Sequence, residues 1–302
     1  MLSNPLQRLA AGSIAVALVV LGFKTLAWWL SGSVALYSDA VESIVNVVAA
    51  LVALLAVRIA DRPADRNHPF GHHKAEYIAA VVEGALITVA AYAVLKAAWF
   101  AIAAPKPLDA PLPALVTNGL ASVINAAWGW VLVRAGRQHG SPALLADGRH
   151  LLADVASSVG VLLGLVTALA TGLHVLDAVL AGIVGGFILW AGWRLVAESL
   201  DGLMDRATPP DVAARLREVI AAHSHEAIEV HDIRTRRAGR ATFIEFHLVV
   251  DGQMSVAQSH GICDRLETAI AAAIDGAITT IHVEPEHKRK LRGSRVAGHS
   301  EH

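Results

Sequence analysis

Six long apolar stretches follow one another along the first two-thirds of the chain, at roughly 9–30, 34–60, 75–103, 112–134, 144–170 and 175–203. Each is long enough to cross a bilayer as a helix, which takes about 20 residues because every backbone polar group must be paired within the segment. The residues between them are rich in Gly, Ser, Pro and charge, as loops are. The pattern predicts an all-α membrane bundle of six transmembrane helices over residues 1–206, with both termini on one side.

The pattern changes after Asp205, where shorter and more polar periods begin. A helix is predicted at about 211–223, strands at 228–237 and 241–250, a second helix at about 255–274 and a last strand at 277–283. This αββαβ order predicts a small α+β domain over residues 207–287, an open-faced sandwich. The charged residues 288–302 are predicted to form a flexible tail.

The basic residues of the short loops predict the orientation of the bundle. Lys and Arg stay on the cytoplasmic side of short loops. One end of the predicted bundle holds Arg8, Arg58, Arg62, Arg66, Lys74, Arg134, Arg137 and Arg206, whereas the loops at the opposite end hold only Lys106. Both termini are therefore expected in the cytoplasm, and the expected location is the bacterial inner membrane.

Charge and cysteine content narrow the chemistry. The net charge of −1 gives no excess of basic residues to neutralise phosphates, so no nucleic-acid partner is expected. The single cysteine, Cys263, cannot form an internal disulfide. Any metal site must therefore use histidine and carboxylate ligands.

Ionisable and amide side chains interrupt two of the apolar stretches. A charged residue at the centre of a membrane helix costs about 2.5–3.5 kcal/mol on insertion scales, so such residues are candidates for function. Spacings of three and four place each group on one helix face: Asp39, Glu42 and Asn46 on the second stretch, and Asp147, His150 and Asp154 on the fifth.

Two i, i+4 pairs in these groups can converge as four ligands for a tetrahedral divalent ion, namely Glu42 with Asn46 and His150 with Asp154. The alternative is that the four groups only hydrogen-bond to one another and hold the helices together. Other intramembrane polar residues are interpreted as structural: Lys24, Glu83, Asn118 and Asn125, with Lys24 and Glu83 pairing or facing water.

Two further ligand groups lie outside the apolar stretches. In the loop after the second stretch, Asp65, His68 and His72 supply one oxygen and two imidazole nitrogens, a set suited to zinc and its neighbours. In the second domain, candidates fall on separate predicted elements: His231, His247 and His282 on the three strands, His260 on the helix and Glu284 just past the last strand. A solvated loop and scattered surface histidines are the respective alternatives.

Several of these residues stand in motifs that resemble those of the cation diffusion facilitator family. The motifs are Pro63-Ala64-Asp65-x-Asn67-His68-x-Phe70-Gly71-His72-x-Lys74-x-Glu76, His150-x-x-x-Asp154, Leu203-Met204-Asp205-Arg206 and His231-Asp232-Ile233-Arg234-Thr235-Arg236. The resemblance covers all but about the last fifteen residues, and the loop motif together with the HxxxD pair is specific to the family.

The resemblance implies a homodimeric metal/proton antiporter with six transmembrane helices and a ferredoxin-like cytoplasmic domain. It implies a transport site at Glu42, Asn46, His150 and Asp154 and a loop site at Asp65, His68 and His72. It also implies a cytoplasmic site at His231, His247, His260, His282 and Glu284, where metal acts as a regulatory ligand. Lys74 and Asp205 match a charge interlock between the two subunits.

The second stretch departs from the zinc pattern of that family, which has Asp or His followed four residues later by Asp. Here Glu42 and Asn46 occupy those positions, and an amide oxygen is a neutral ligand. Zinc remains the expected cargo, with iron(II), manganese(II), cobalt(II) or cadmium(II) as alternatives. Asp39 and Asp147, one turn from the ligands, are expected to support them.

Ligand chemistry predicts how transport is driven. Carboxylate and imidazole ligands must be deprotonated to bind metal, so metal binding releases protons. His150 is the expected coupling group, since imidazole titrates near pH 6.5. Two alternatives remain: a metal sensor or assembly protein without transport, and an intramembrane metalloenzyme, for which the chain offers no HExxH motif. No enzymatic activity is expected.

Overall fold

The computed structural model describes residues 4–31, 34–103, 112–171, 175–290 and 294–295. The chain divides into two compact units, Met1–Leu200 and Asp201–His302. Within the helices some side chains lie outside the described part, among them those of Asp39 and Glu42. Most of the predicted tail also lies outside it.

Six long helices come first in the chain. They are α1 Pro5–Ser31, α2 Val34–Ala60, α3 Ala75–Ala103, α4 Leu112–His139, α5 Pro142–Thr171 and α6 Val175–Leu203. These bounds agree with the predicted stretches to within a few residues, and the largest differences are the earlier start of α1 and the later end of α4. The hydrophobic pattern therefore predicted all six helices.

Five of these helices are long and apolar enough to cross a membrane by length and composition among the described residues, namely α1, α2, α3, α4 and α6. The first half of α5 carries Asp147, Arg149 and Asp154, and most side chains of residues 161–170 lie outside the described part. A membrane crossing by α5 therefore remains a prediction.

The outer surface of the helical unit is apolar. Large side chains such as Trp29, Val89 and Trp193 are about two-thirds or more exposed, at 77%, 67% and 66%. A soluble monomer rarely exposes apolar surface on this scale, because water makes it costly. The helices therefore have the surface of an integral membrane bundle.

Close contact between α4 and α5 depends on glycine. A Cβ atom added to Gly148 on α5 would lie 2.8 Å from the backbone nitrogen of Val133 and 2.9 Å from the carbonyl oxygen of Gly129, both on α4. Such distances leave no room for a side chain, and small residues are what allow membrane helices to approach closely. This contact fixes the segment of α5 that carries the candidate ligands.

The second unit is a two-layer α+β fold. Its helices are α7 Pro210–His223 and α8 Val256–Ala273, and its strands are β1 Glu229–Ala238, β2 Ala241–Val250, β3 Ala277–Pro285 and the short β4 Ser294–Arg295. The sheet order is β3-β2-β1-β4, with β2 antiparallel to β1 and parallel to β3. The αββαβ order is as predicted, with β4 as an addition.

The core of this unit lies between one face of the sheet and the two helices. Ile244, Phe246 and Leu248 of β2 pack with Leu216 of α7 and Leu266 of α8. Because side chains alternate between the two faces of a strand, His247 points to the opposite face. That face is where the candidate ligands of the second unit lie.

Candidate metal centres

Three of the four residues predicted to form a site between α2 and α5 converge in the described part of the chain. The Nε2–H of His150 donates to Oδ1 of Asn46 at 2.9 Å, and Nδ2 of Asn46 donates to a carboxylate oxygen of Asp154. Nε2 of His150 lies 4.0 Å from Oδ1 of Asp154. Asn46 and His150 are each 4% exposed. One imidazole nitrogen and two kinds of oxygen thus meet at one buried point.

The packing leaves a small space beside this point. A cavity of about 10 Å³ is lined by His150, Asp154 and Ser157 of α5 together with apolar side chains of α3 and α6. Holding one water takes about 10–15 Å³ by this measure, so the space suits a single small ion. The donor set of imidazole, carboxylate and amide oxygen fits a divalent transition metal.

The remaining predicted members of this group are Glu42 and Asp39 on α2 and Asp147 on α5. Glu42 and Asp39 lie on α2, but their side chains are outside the described part, so their roles remain predictions. Asp147 is 3% exposed and accepts a hydrogen bond from Ser13 of α1. The hydroxyl oxygen of Ser13 also accepts a hydrogen bond from Nε1–H of Trp128 on α4, at 2.9 Å. Asp147 therefore connects α5 to its neighbours one turn from His150.

Glu83 of α3 was expected to pair with another group or to face water. The second alternative is wrong, because the side chain is 0% exposed. Its Oε2 lies 3.7 Å from Nδ1 of His150. The only signal in the sequence is that an acid stands near the middle of an apolar stretch, which does not tell which neighbour it faces.

The loop between α2 and α3 brings Asp65, His68 and His72 together. Nδ1 of His68 and Nε2 of His72 each lie 3.3 Å from a carboxylate oxygen of Asp65. The two imidazole ring centroids are 4.3 Å apart. These ligand atoms are close enough to hold one metal ion.

The backbone of the loop prepares Asp65 for this role. Its Oδ1 accepts hydrogen bonds from the backbone N–H groups of Asn67 at 2.9 Å and His68 at 2.8 Å. The His68 N–H bond is the main cause that holds the pKa of Asp65 below its ordinary value. Gly71, with φ of +82°, takes the left-handed turn that leads to His72. The carboxylate is thus kept in its charged, metal-binding form.

Three histidines form a row across the sheet of the second unit. His231 of β1 pairs in register with His247 of β2, which pairs in register with His282 of β3. The ring centroids of neighbours are 5.2 Å and 4.9 Å apart. Sequence alternation predicted these residues on three strands, and the register places them side by side.

Glu284 reaches all three members of this histidine row. Its carboxylate oxygens lie 3.2 Å from Nε2 of His231, 3.4 Å from Nδ1 of His247 and 3.7 Å from Nε2 of His282. The other ring nitrogen of His231 lies 2.9 Å from Oε1 of Glu229, and both side chains are 3% exposed. A carboxylate behind a histidine ligand orients its ring, so Glu229 is a functional candidate that the sequence interpretation missed.

Asp232 is a second candidate that was missed. It offers an oxygen within the same group as His231 and His247. It has a φ of 53° and falls where the β1–β2 register shifts between His231 and Arg234. A hydrogen bond from Lys290 is the main cause that lowers the pKa of Asp232. Strict alternation places Asp232 on the face of the sheet opposite to His231. The bulge changes the direction of its side chain, so that its carboxylate lies near the histidines.

Other predicted site residues are not part of these groups. His260 on α8 is largely exposed and lies 3.5 Å from Asp264. It also lines a surface cavity of about 570 Å³ together with Glu284. Asp205 accepts a hydrogen bond from Arg236 at 3.2 Å. The predicted interlock of Asp205 with Lys74 remains a prediction.

Two family models match the chain, one over the six long helices and one over the α+β fold. The family model of the cation efflux transmembrane domain matches residues 11–204. The model of the cytoplasmic domain of cation efflux proteins matches residues 208–286.

Relatives match along most of the chain. An uncharacterized transporter of Synechocystis sp. is 40% identical over 273 residues, which is 90% of this chain and 88% of that protein. The cation-efflux pump FieF of Cronobacter sakazakii is 33% identical over 283 residues, 92% of each. The metal-bound C-terminal domain of the CzcD transporter from Thermotoga maritima is 32% identical, with a TM-score of 0.24, and the match covers 25% of this chain and 87% of that one. The family models and the full-length relatives together make this chain an integral membrane transporter of the cation efflux family, the cation diffusion facilitators.

Proposed function

We propose that the protein exports a divalent transition-metal ion, with zinc as the expected cargo, in exchange for protons. The observation that carries the proposal is the buried group of Asn46, His150 and Asp154 between α2 and α5. Buried polar groups inside a membrane bundle are costly and mark ion pathways. Glu42 is proposed as the fourth ligand, from the same face of α2.

Proton coupling follows from the ligands themselves. The carboxylate of Asp154 and one nitrogen of His150 must be free of protons to bind the ion, so binding and protonation exclude each other. Protons that enter from outside would expel the ion, and the protonated site would then return to face the cytoplasm. This cycle is alternating access in a carrier that never opens to both sides together.

The proposed architecture has six membrane crossings, including α5, over residues 1–206, and a ferredoxin-like cytoplasmic domain over 207–287. Both termini face the cytoplasm, as the loop charges predict, in the inner membrane of a bacterium. Two copies form a homodimer, in which Lys74 and Asp205 take part in a charge interlock. The loop site and the histidine row, with His260 as a further ligand, bind metal as regulators rather than as cargo.

The ligand set determines which ion the site prefers. Asn46 contributes a neutral oxygen, so Asp154 and the side chain proposed from Glu42 carry the negative charge of the ligand set. Manganese(II), a harder ion, accepts oxygen-rich sets more readily than zinc does, and the same imidazole and oxygen ligands also suit iron(II), cobalt(II) and cadmium(II), so these four ions are competing cargoes. The neutral ligand also leaves a metal sensor without transport as the second candidate.

Metal-dependent proton flux in proteoliposomes tests the proposal. The wild-type protein is compared with His150→Ala, Asp154→Ala and the control His139→Ala, an exposed histidine whose Nδ1 lies 3.0 Å from the carbonyl oxygen of Ala135. One metal is expected to drive protons across wild type and control, while neither site variant responds. If folded wild-type protein shows no flux with zinc, cadmium, cobalt, manganese or iron(II), transport is ruled out in favour of the sensor.

A further inference from the structure

A buried carboxylate on α3 lies beside the α2–α5 site without belonging to its proposed ligands. Glu83 is 0% exposed, and neither of its carboxylate oxygens has a hydrogen-bond partner among the described residues. A carboxylate buried without hydrogen bonds is costly, by several kcal/mol when ionised. Such a group calls for a partner that is present during function.

The nearest candidate partner is the imidazole of His150. Oε2 of Glu83 lies 3.7 Å from Nδ1, while Nε2 on the opposite side of the ring lies 2.9 Å from Oδ1 of Asn46. The ring therefore stands between α3 and α2, with one nitrogen toward each. A hydrogen bond of this kind is about 2.7–3.2 Å long, so a small rotation of either side chain would close the gap.

We propose that Glu83 is a positioning residue of the transport site, which acts through His150. When Nε2 binds the ion, the ring proton resides on Nδ1, and Glu83 is the acceptor that faces it. A carboxylate behind a metal-bound histidine fixes the tautomer and orientation of the ring and strengthens it as a ligand. The inference rests on the proposed ligand role of His150.

Metal titration by calorimetry tests this role without relying on transport. The full-length protein is purified in detergent with His72→Ala and His247→Ala, which weaken the loop site and the histidine row. In this background Glu83→Gln replaces the carboxyl group at nearly constant volume, and Glu83→Asp keeps it on a shorter stem. Glu76→Gln is the matched control, because Glu76 is also 0% exposed on α3 but accepts a hydrogen bond from Ser141.

Glu83→Gln is expected to lower zinc affinity by about 10–100-fold, the usual effect of losing an outer partner of a metal-bound histidine. Glu83→Asp should fall between Glu83→Gln and wild type, and Glu76→Gln should bind as wild type does. Thermal melting of each variant shows that the protein titrated is folded. A purely structural role predicts lower melting temperatures with unchanged affinity of the folded protein.

Two results would overturn the inference: wild-type affinity in folded Glu83→Gln, or an equal loss in Glu76→Gln. Should Glu83→Gln fail to fold, Glu83→Asp carries the test, and wild-type affinity in that variant overturns the orienting role. The proposed function fails separately, when the wild-type protein binds metal in detergent but shows no metal-dependent proton flux in vesicles.

Discussion

At the scale of single residues, His247 is the central member of the histidine row and the one with a neighbour on both sides. Replacing it with alanine removes the nitrogen between His231 and His282 and the contact with Glu284. Loss of a carboxylate behind a metal-bound histidine lowers metal affinity by about 10–100-fold. His247→Ala removes a proposed ligand itself, so we expect it to lower the zinc affinity of the second unit by more than that. Calorimetric titration measures this zinc affinity in full-length protein that also carries His72→Ala and His150→Ala, which weaken the loop site and the α2–α5 site.

His225→Ala is the control for that titration, because His225 is exposed and outside the row. Equal losses in both variants would mean that zinc binds through scattered surface histidines. The row would then be a packing feature of the sheet.

Glu229 offers a finer prediction in the same unit. Its Oε1 lies 2.9 Å from Nδ1 of His231, so we expect it to orient a proposed ligand rather than to bind the ion. Glu229→Gln is expected to lower zinc affinity by about 10–100-fold while the number of bound ions stays the same. Glu226→Gln is the matched variant, since Glu226 is exposed and pairs with Arg265. Loss of a bound ion in Glu229→Gln would instead make Glu229 a direct ligand.

The residues that sequence reasoning found and missed differ in what determines their contacts. His150 and Asp154 are four apart on one helix, so the helical period alone brings them to one face. Glu83 meets His150 from a different helix, and that contact depends on how α3 is rotated about its axis. Rotation is determined by packing across helices, for which a single sequence has no spacing rule.

At the scale of elements, the contact between α4 and α5 supports the position of the proposed transport site. Gly148→Ala places a Cβ where Val133 and Gly129 backbone atoms already lie. The helices must separate, at a cost of about 1–3 kcal/mol for overpacking. We expect a lower melting temperature and reduced metal-driven proton flux, because His150 lies two residues further along α5.

Gly119→Ala is the control on α4, where an added Cβ meets nothing within 4 Å. Alanine is the better helix former, so this variant should be neutral or slightly stabilising in melts of purified protein. Unchanged melting and flux in Gly148→Ala would show that the helices accommodate the methyl group, so that their packing is not tight at this point.

Element boundaries were predictable where one physical rule dominates. In the membrane region, long apolar stretches broken by Pro and Gly gave all six helices. In the second unit, alternation gave β1, β2 and β3, but not their register. The row of three histidines requires His231 opposite His247 and His247 opposite His282, and register depends on turn and bulge geometry. The bulge at Asp232 is for the same reason visible only in the structure.

At the scale of the whole molecule, the number of membrane crossings decides on which side each site works. Helices α1, α2, α3, α4 and α6 qualify as spans among the described residues, whereas α5 carries Asp147, Arg149 and Asp154. Six crossings put α7 and the histidine row on the same side as the N-terminus. Five crossings would put them on opposite sides, and export from the cytoplasm could not then be regulated by that row.

Labelling of single cysteines with a membrane-impermeant maleimide on intact cells distinguishes these arrangements. The native Cys263 is 5% exposed and burial raises the pKa of its thiol, so the unmodified protein should stay unlabelled. New cysteines are placed at Asn67, Gln138 and His225, which are exposed, and at Gly172, which lies between α5 and α6 outside the described residues.

With α5 crossing the membrane, only Gly172→Cys reacts from outside, and the other three positions react after the cells are permeabilised. This outcome is expected because an uncharged outer loop and basic inner loops favour that orientation. If α5 does not cross, Gly172→Cys is labelled only under the conditions that label Gln138→Cys. His225→Cys then reacts from the side of the membrane opposite to Asn67→Cys. In that case His150 and Asp154 would not be carried through the bilayer on a spanning helix, and the two-helix transport site would have to be abandoned.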